Sequence, residues 1–303
     1  MKKWVYIPVL ATTLACSSAW SEVIVYGKAN VSIQNADESG DREIELQSNS
    51  SRIGLMGEEA LSDSVTVLYR FEYETSVDDG DKDGQTLTQR NIYLGLQTAV
   101  GTLMGGVFDS PLKTAATKVD LFNDLEGDVR NIFAGENRPK NIVQYVTPKS
   151  FGPFTGKVAY ITKEQDGIDG VSSSAAYDGN RFYFALAMDQ DVEDNAENTD
   201  VYRVVSAYQL GPVQLGGAYE KYERDVGEGD GYFGSAQWKL DSHWVLKAQY
   251  GESDIKIDGR ETLSVGGDYV FSKSTKAFVY YTDNTDDEGR NDNYLGIGLE
   301  LKF

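Results

Sequence analysis

The sequence predicts an all-β protein, a transmembrane antiparallel β-barrel of about 16 strands. Three observations predict it. The last eleven residues, Asn293 to Phe303, alternate without a break: Leu295, Ile297, Leu299, Leu301 and Phe303 share one face, and Tyr294, Gly296, Gly298, Glu300 and Lys302 share the other. Such a strand has one oily and one polar face, and a chain ending on it, at an aromatic residue, suits a barrel that closes against lipid. The same two-residue rhythm recurs along the chain in short segments. Tight turns and longer acidic loops separate these segments alternately, which is the end-to-end asymmetry of outer-membrane barrels.

Composition agrees. The chain carries 48 Asp and Glu against 28 Lys and Arg, a net charge of -20, so it lacks the basic footprint of a nucleic-acid binder. Mean hydropathy is -0.42, and beyond the leader no apolar run approaches the ~18 residues of a spanning helix. A barrel escapes that test because only every second residue meets lipid. The 31 Gly and 19 Tyr beside only 6 Pro suit turns, crowded lumen positions and an interfacial aromatic belt.

Residues 1–21 read as a secretory signal, with Lys2 and Lys3, an apolar stretch from Tyr6 to Ala15, and a small-residue cleavage site at Ala19, Trp20 and Ser21. Cleavage after Ser21 leaves 282 residues (303 less 21) as one barrel domain, 22–303, and moves the net charge from -20 to -22 because both lost charges are lysines. The only cysteine, Cys16, falls inside the leader, and Leu14 stands one place away from where a lipoprotein signal needs it. The mature chain then has no thiol and forms no disulfide.

The strands follow in order. Val23 to Ile33 sets Val23, Val25, Ala29, Val31 and Ile33 against Lys28 and Asn30; Ser51 to Glu59 sets Ile53 and Leu55 against Arg52 and Glu58. Val65 to Thr75 is the clearest, with Val65, Val67, Tyr69, Phe71 and Tyr73 outward and Arg70, Glu72 and Glu74 inward. Asn91 to Gln97 and Thr102 to Phe108 come next. Later faces are formed by Phe182, Phe184, Leu186 and Met188, by Trp244, Leu246, Ala248 and Tyr250, and by Leu263, Val265, Tyr269 and Phe271. Val201 to Gln209 reads least well, since both its faces hold apolar residues. Short turns at Leu61 to Ser64, Thr98 to Gly101, Gly179–Asn180, Gly211–Pro212, Asp241 to His243 and Ser272 to Ser274 alternate with acidic loops at Val77 to Gly84, Gln190 to Asp200, Glu223 to Gly229, Glu252 to Gly259 and Asn284 to Asp292. Sixteen strands in 282 residues leave about 17 to 18 residues for each strand and its connection, enough for a tilted span of ~9–11 residues. A barrel of that size keeps an open aqueous channel. A soluble β-sandwich also alternates, but its apolar face would be its core, and Arg and Glu would not stand opposite Phe and Tyr on hairpin after hairpin.

One connection breaks the rhythm. Asp109 to Lys140 runs without clear alternation, far beyond the ~12–15 residues at which loops become uncommon and functional. It mixes Leu112, Val119, Leu121, Phe122, Leu125, Ile132 and Phe133 with Asp120, Asp124, Glu126 and Asp128. A loop so composed, placed after the fifth strand, is expected to fold into the barrel with its apolar residues on the inner wall and its carboxylates in the water column. Inward Lys28, Arg52 and Arg70 then face Asp120, Asp124 and Glu126 across a constriction. The resulting transverse field sorts solutes by charge, because a narrow pore with low-dielectric walls screens poorly.

The blocks in which these residues occur resemble the Gram-negative general porins over essentially the whole mature chain. Val25 to Ala29 is similar to that family's first strand, and Ser51 to Glu59 to its second. Arg90 to Leu96 with Gly101 to Leu103 resembles strands four and five, and Asn137 to Tyr145 with Pro148 and Phe154 resembles the exit from the constriction loop. The resemblance implies a 16-stranded, homotrimeric, water-filled diffusion channel in the outer membrane of a Gram-negative bacterium, among lipid and lipopolysaccharide, with the third extracellular loop folded into the lumen. It implies Arg52 and Arg70 on a basic wall, Arg138 and Lys140 at its edge, and Asp120, Asp124 and Glu126 on the loop. One departure is that Gly106 is followed by Val107, where the family commonly has a pore arginine. That loss, with the mature charge of -22, leans towards cation preference.

Other constellations carry less. Asp79 to Gly84 imitates the start of a calcium loop, but the twelfth position is Arg90 instead of a bidentate Glu. The sole histidine, His243, lies in a tight turn, away from the large loops where a catalytic base would sit. No enzyme, metal or cofactor is implied. The expected function is passive diffusion of ions and small hydrophilic solutes. A channel tuned to sugars or organic acids stays open as an alternative, although Tyr26, Tyr93, Tyr183 and Tyr280 form no readable aromatic ladder. A surface receptor or adhesin would need longer loops.

Overall fold

A computed structural model of the protein describes residues 22–81, 84–164, 167–193, 198–225 and 227–303. Residues 1–21, where a signal sequence is expected and where Cys16 falls, lie outside the described residues, as do Lys82 and Asp83 of the calcium-like segment and part of the acidic stretch from Gln190 to Asp200. The strands are β1 (Ile24–Glu38), β2 (Asp41–Ser48), β3 (Arg52–Ser62), β4 (Val65–Glu74), β5 (Thr88–Thr98), β6 (Gly101–Val107), β7 (Ile142–Val146), β8 (Phe154–Ile161), β9 (Gly170–Asp178), β10 (Phe182–Gln190), β11 (Thr199–Leu210), β12 (Val213–Arg224), β13 (Gly227–Lys239), β14 (Trp244–Ser253), β15 (Arg260–Val270), β16 (Thr275–Thr285) and β17 (Asn291–Lys302). A short α-helix, α1 (Pro111–Ala115), and a single 3-10 turn (Val129–Asn131) lie between β6 and β7.

All pairings are antiparallel, and the sheet closes on itself where β1 meets β17, from Lys28 opposite Lys302 to Glu38 opposite Asp292. Phe303 finishes the seam: its amide donates to Gly27 O at 3.1 Å and its carbonyl accepts from Gly27 N at 2.9 Å. The Phe303 ring lies where a side chain at Gly27 would stand, so that glycine makes room for the terminal aromatic. Closure removes the free edges that an open sheet would expose in lipid.

The wall has 16 strand positions because β2 and β3 share one. Strand β1 pairs with β2 through Val31 to Glu38 and with β3 through Ile24 to Lys28. Between them the chain breaks at Ser50, with φ of 51°, and Ser51 Oγ accepts from Asn30 N at 3.0 Å, replacing a ladder bond. The sequence reading passes over β2, whose outward Ile44 and Leu46 are too few among acids to announce a strand. It also gives Glu223 to Gly229 as a loop, whereas β12 and β13 stay paired out to Arg224 opposite Gly227.

The two-residue rhythm sorts the faces as expected. On β17, Leu295, Ile297 and Leu299 are exposed on the outer surface, while Tyr294 and Gly296 are buried inside. On β1, Ile33 points out while Lys28, Asn30, Ser32 and Gln34 are buried on the lumen side. Trp238 and Trp244 stand exposed beside the turn at residues 240–243, at the height of an interfacial aromatic belt.

Candidate pore constriction

The segment 108–141 between β6 and β7 does not lie over the barrel but enters it. Ser110 caps α1, its Oγ accepting from Lys113 N at 3.1 Å, with Pro111 in the first turn where no amide is needed. The loop then rests on two separate patches of inner wall. Leu112, Ala115, Val119, Ile132 and Phe133 pack against Ala185, Ala187, Val201, Val205, Ala207 and Phe233 of β10, β11 and β13. Phe122 and Leu125 pack against Phe278, Tyr280 and Tyr294 of β16 and β17, with Ala36 of β1. Wall glycines open the seats: a side chain at Gly216 would collide with Val119, and one at Gly251 with Ile132. Burial of this apolar set contributes about 1.5–3 kcal/mol for each large side chain.

Polar bonds fix the register of the loop. Tyr183 Oη donates to Ala115 O at 2.9 Å, Gln249 Oε1 accepts from Leu121 N at 3.1 Å, and Asn284 Nδ2 donates to Glu126 O at 3.2 Å. At the tip, Asp128 folds the chain on itself, accepting from Asp124 N at 2.9 Å and Arg130 N at 2.9 Å. Asp124 adopts φ of 67°, a left-handed conformation that aspartate tolerates better than most residues. It reaches Lys28 Nζ at 2.6 Å and Arg52 Nη1 at 3.6 Å. The loop therefore follows the inner wall from β8 round to β1 and leaves the remaining passage beside β3, β4 and β5.

That passage is a water-accessible cavity of about 470 Å³. Its described lining holds seven carboxylates (Glu72, Glu74, Asp109, Asp120, Asp124, Asp128 and Glu136) against six cationic side chains (Arg52, Arg70, Arg90, Lys113, Arg130 and Arg138). Of the residues read from the sequence, Arg52, Arg70, Arg138, Asp120 and Asp124 come together here. Lys28 meets them only through Asp124. Glu126 turns away, its Oε1 accepting from Gln34 Nε2 at 3.1 Å. Lys140 is exposed where the loop leaves the barrel and does not line the cavity. Arg138 holds Asp109 at 2.9 Å.

Two guanidinium groups on the wall behave differently. Arg90 is ion-paired to Glu72 at 3.3 Å and to Glu74, and Tyr26 Oη donates to Glu72 at 2.9 Å. Arg70 lies between two rings, 5.6 Å from the Tyr26 centroid and 5.7 Å from that of Tyr93, a cation–π geometry. Arg90 entered the sequence reading in a strand block and as the mismatched twelfth position of the calcium-like segment; a register shift between Phe71 and Tyr73, opposite the stretch from Gln89 to Ile92, breaks the parity that would otherwise set it on the face opposite Tyr93. Register sets Val107 opposite Ile92, two residues along β5 from Arg90, which lines the cavity. Tyr183 and Tyr280 are buried under the loop, which is why no aromatic ladder forms.

The loop carboxyls divide by environment. Burial raises Asp124, but Lys28, Arg52 and Arg90 more than offset it and hold the group below the usual carboxylate value. Burial, with Asp128 and Glu136 nearby, pushes Asp120 well above that value. Burial likewise raises Glu126 and Glu136, the latter opposed by Arg203 and Lys113.

A closed barrel with an oily outer belt, a charged lumen and a loop that narrows it defines a membrane channel. The profile of the Gram-negative porins matches residues 9–289, and the chain belongs to that family. It is 26% identical to outer membrane porin protein 32 of Delftia acidovorans over 92% of this chain and 87% of that one. It is 23% identical to the major outer membrane protein P.IB of Neisseria meningitidis serogroup B, over 97% and 98%. Among solved structures, OmpF of Salmonella typhi superposes with a TM-score of 0.77 at 19% identity, covering 93% of this chain and 98% of that chain. The trimer form of OmpT from Vibrio cholerae gives 0.67 at 15%, covering 93% and 99%. The protein is a passive outer-membrane channel for ions and small hydrophilic solutes.

Proposed function

We propose that solutes are sorted at the gap between the loop carboxylates Asp120 and Asp124 and the wall groups Arg52, Arg70 and Arg90, with Arg138 at its edge. The observation that carries this reading is that Asp124, ion-paired to Arg52 at 3.6 Å, lines the same aqueous cavity as Asp120, Arg70 and Arg90. Lys28 acts by holding Asp124, Glu126 by holding the loop to β1, and Lys140 contributes only to the field at the loop's exit. Unlike charges on opposing walls orient polar solutes and disfavour bulky apolar ones. With lining charges nearly balanced, ion preference is weak and favours cations. The short turns face the periplasm, the protein assembles as a trimer within lipid and lipopolysaccharide, and it acts without catalysis or a cofactor.

The test is reversal potential in a salt gradient across a planar bilayer. Wild-type protein should conduct stepwise without ligand and prefer cations slightly, and Asp124→Asn should move the reversal potential towards anions. Stepwise conductance with an unmoved reversal potential in the variant would remove Asp124 from the sorting site.

A further inference from the structure

We propose that Arg203 is the positioning residue that seats the loop inside the barrel, and thereby sets the width of the constriction; this rests on the constriction reading above. Arg203 stands on β11, in a stretch of lumen wall otherwise lined by Val201, Val205 and Ala207. Its side chain is 0% exposed, so it cannot meet a passing solute, and it does not line the cavity.

What it does touch is both limbs of the loop. Its Nη1 donates to Glu136 Oε1 at 2.7 Å, on the limb that leaves the lumen, and lies 3.5 Å from Leu112 O, on the limb that enters. The guanidinium carbon stands 5.2 Å from the centroid of the Phe133 ring. On its other side Nε donates to Glu220 Oε2 at 2.7 Å. Glu220, equally buried, turns its second oxygen to the loop and accepts from Ala134 N at 2.6 Å and Gly135 N at 3.5 Å. One wall pair therefore satisfies backbone groups and a carboxylate of a segment that has no sheet partner of its own.

A buried ion pair in an apolar wall adds little net stability compared with apolar residues of the same shape, but it penalises arrangements in which its members are left unpaired. If the loop swung out, Arg203 would lose Glu136, and Glu220 Oε1 would lose the amides of residues 134 and 135, leaving the wall pair only partly satisfied. The pair thus selects the inward seat. The apolar contacts on either side could slide; a guanidinium fork between two carboxylates has one register.

The experiment uses full-length protein refolded or purified as the assembled channel, with two variants and one control. Glu136→Gln cuts the loop's half of the clamp, together with one lining charge and its 4.0 Å contact to Lys113, and leaves the wall pair intact; Arg203→Met removes the clamp's centre and leaves the lining charges in place. Both should retain heat-modifiable assembly, show flickering openings and raise single-channel conductance by roughly 1.5-fold, as a wider constriction requires. Trypsin should then cut after Lys113, which is half-buried against Asp109 and Glu136 in the wild type. Arg203→Lys, keeping the charge without the fork, should restore part of the quiet, narrow state. Wild-type conductance and trypsin resistance in both Glu136→Gln and Arg203→Met would overturn the inference. The control is Asp124→Asn: if it moves the reversal potential, the constriction reading stands whatever Arg203 does. If instead trypsin cuts the loop in the Arg203 variant while conductance and selectivity stay unchanged, the clamp is real and the constriction reading fails.

Discussion

At the scale of single residues, Asp120 and Asp124 are the informative pair, four positions apart on one loop and driven in opposite directions. Asp124 lies below the ordinary carboxylate value because Lys28, Arg52 and Arg90 outweigh its burial. A carboxyl depressed on folding contributes stability that is complete above its unfolded value, about 3.9, and lost only as pH falls through the lower folded value. Asp120 has the reverse sign: burial beside Asp128 and Glu136 raises it, so its contribution is complete at low pH and lost as pH rises past the ordinary range. Acidification therefore neutralises Asp120 first and Asp124 last. The difference in reversal potential between wild type and Asp124→Asn should persist as pH falls and close only below about pH 4, whereas the effect of Asp120→Asn should fade at a higher pH than that of Asp124→Asn. A titration of reversal potential from neutral to acid decides it; loss of the Asp124 effect already near neutrality would contradict the assigned order. Backbone geometry adds a second contrast. At φ of 67° asparagine is tolerated, while Asp124→Val should cost about 1–2 kcal/mol of strain, seen as a lower urea midpoint in lipid vesicles.

Among the elements, β11 shows where reading from the sequence succeeds and where it stops. The lumen parity of Lys28, Arg52 and Arg70 followed directly from period two, and so did the outer belt of β17. The inward fold of the loop was legible in its mixture of Leu112, Val119, Phe122 and Ile132 with carboxylates. Strand β11 was not clear, because the rule that lumen faces are polar fails wherever a loop covers them. Val204 is 40% exposed on the outer surface, while Val205, one residue on, is fully buried beneath the loop. Both are apolar for different reasons, and alternation cannot separate them. For the same reason Arg203 and Glu220 could not be told from solute-facing charges without knowing which wall the loop touches. The two faces should respond differently to charge. Val204→Arg near mid-strand should cost about 2–4 kcal/mol of folding stability in lipid, measured by urea unfolding. Val205→Asp should leave membrane assembly intact and instead disturb the loop, read as noisy conductance. Equal losses of assembly in both would mean that the loop contributes little to β11's inner face.

For the whole molecule, the question is where the field that selects ions originates. The constriction is close to electroneutral, with seven carboxylates against six cations and Asp120 pushed towards its neutral form. The excess acid lies instead at the long-loop end, on exposed groups such as Asp41, Glu43, Asp225, Asp258, Asp287 and Glu288. These carboxylates stand in open solvent, where screening is full strength, while the Asp124–Lys28 and Asp124–Arg52 contacts are enclosed and screened much less. The Debye length shrinks from about 10 Å at 0.1 M salt to about 3 Å at 1 M. A cation preference generated at the mouth should therefore be clear at about 0.1 M mean salt and nearly vanish at about 1 M. The shift caused by Asp124→Asn, arising inside the enclosed site, should survive at both. Reversal potentials measured for the two proteins at a fixed concentration ratio, but at low and high mean salt, separate the sources. If wild-type preference is the same at both strengths, the acidic mouth is not its origin, and the near-balance of the lining must conceal a stronger local field at the loop tip.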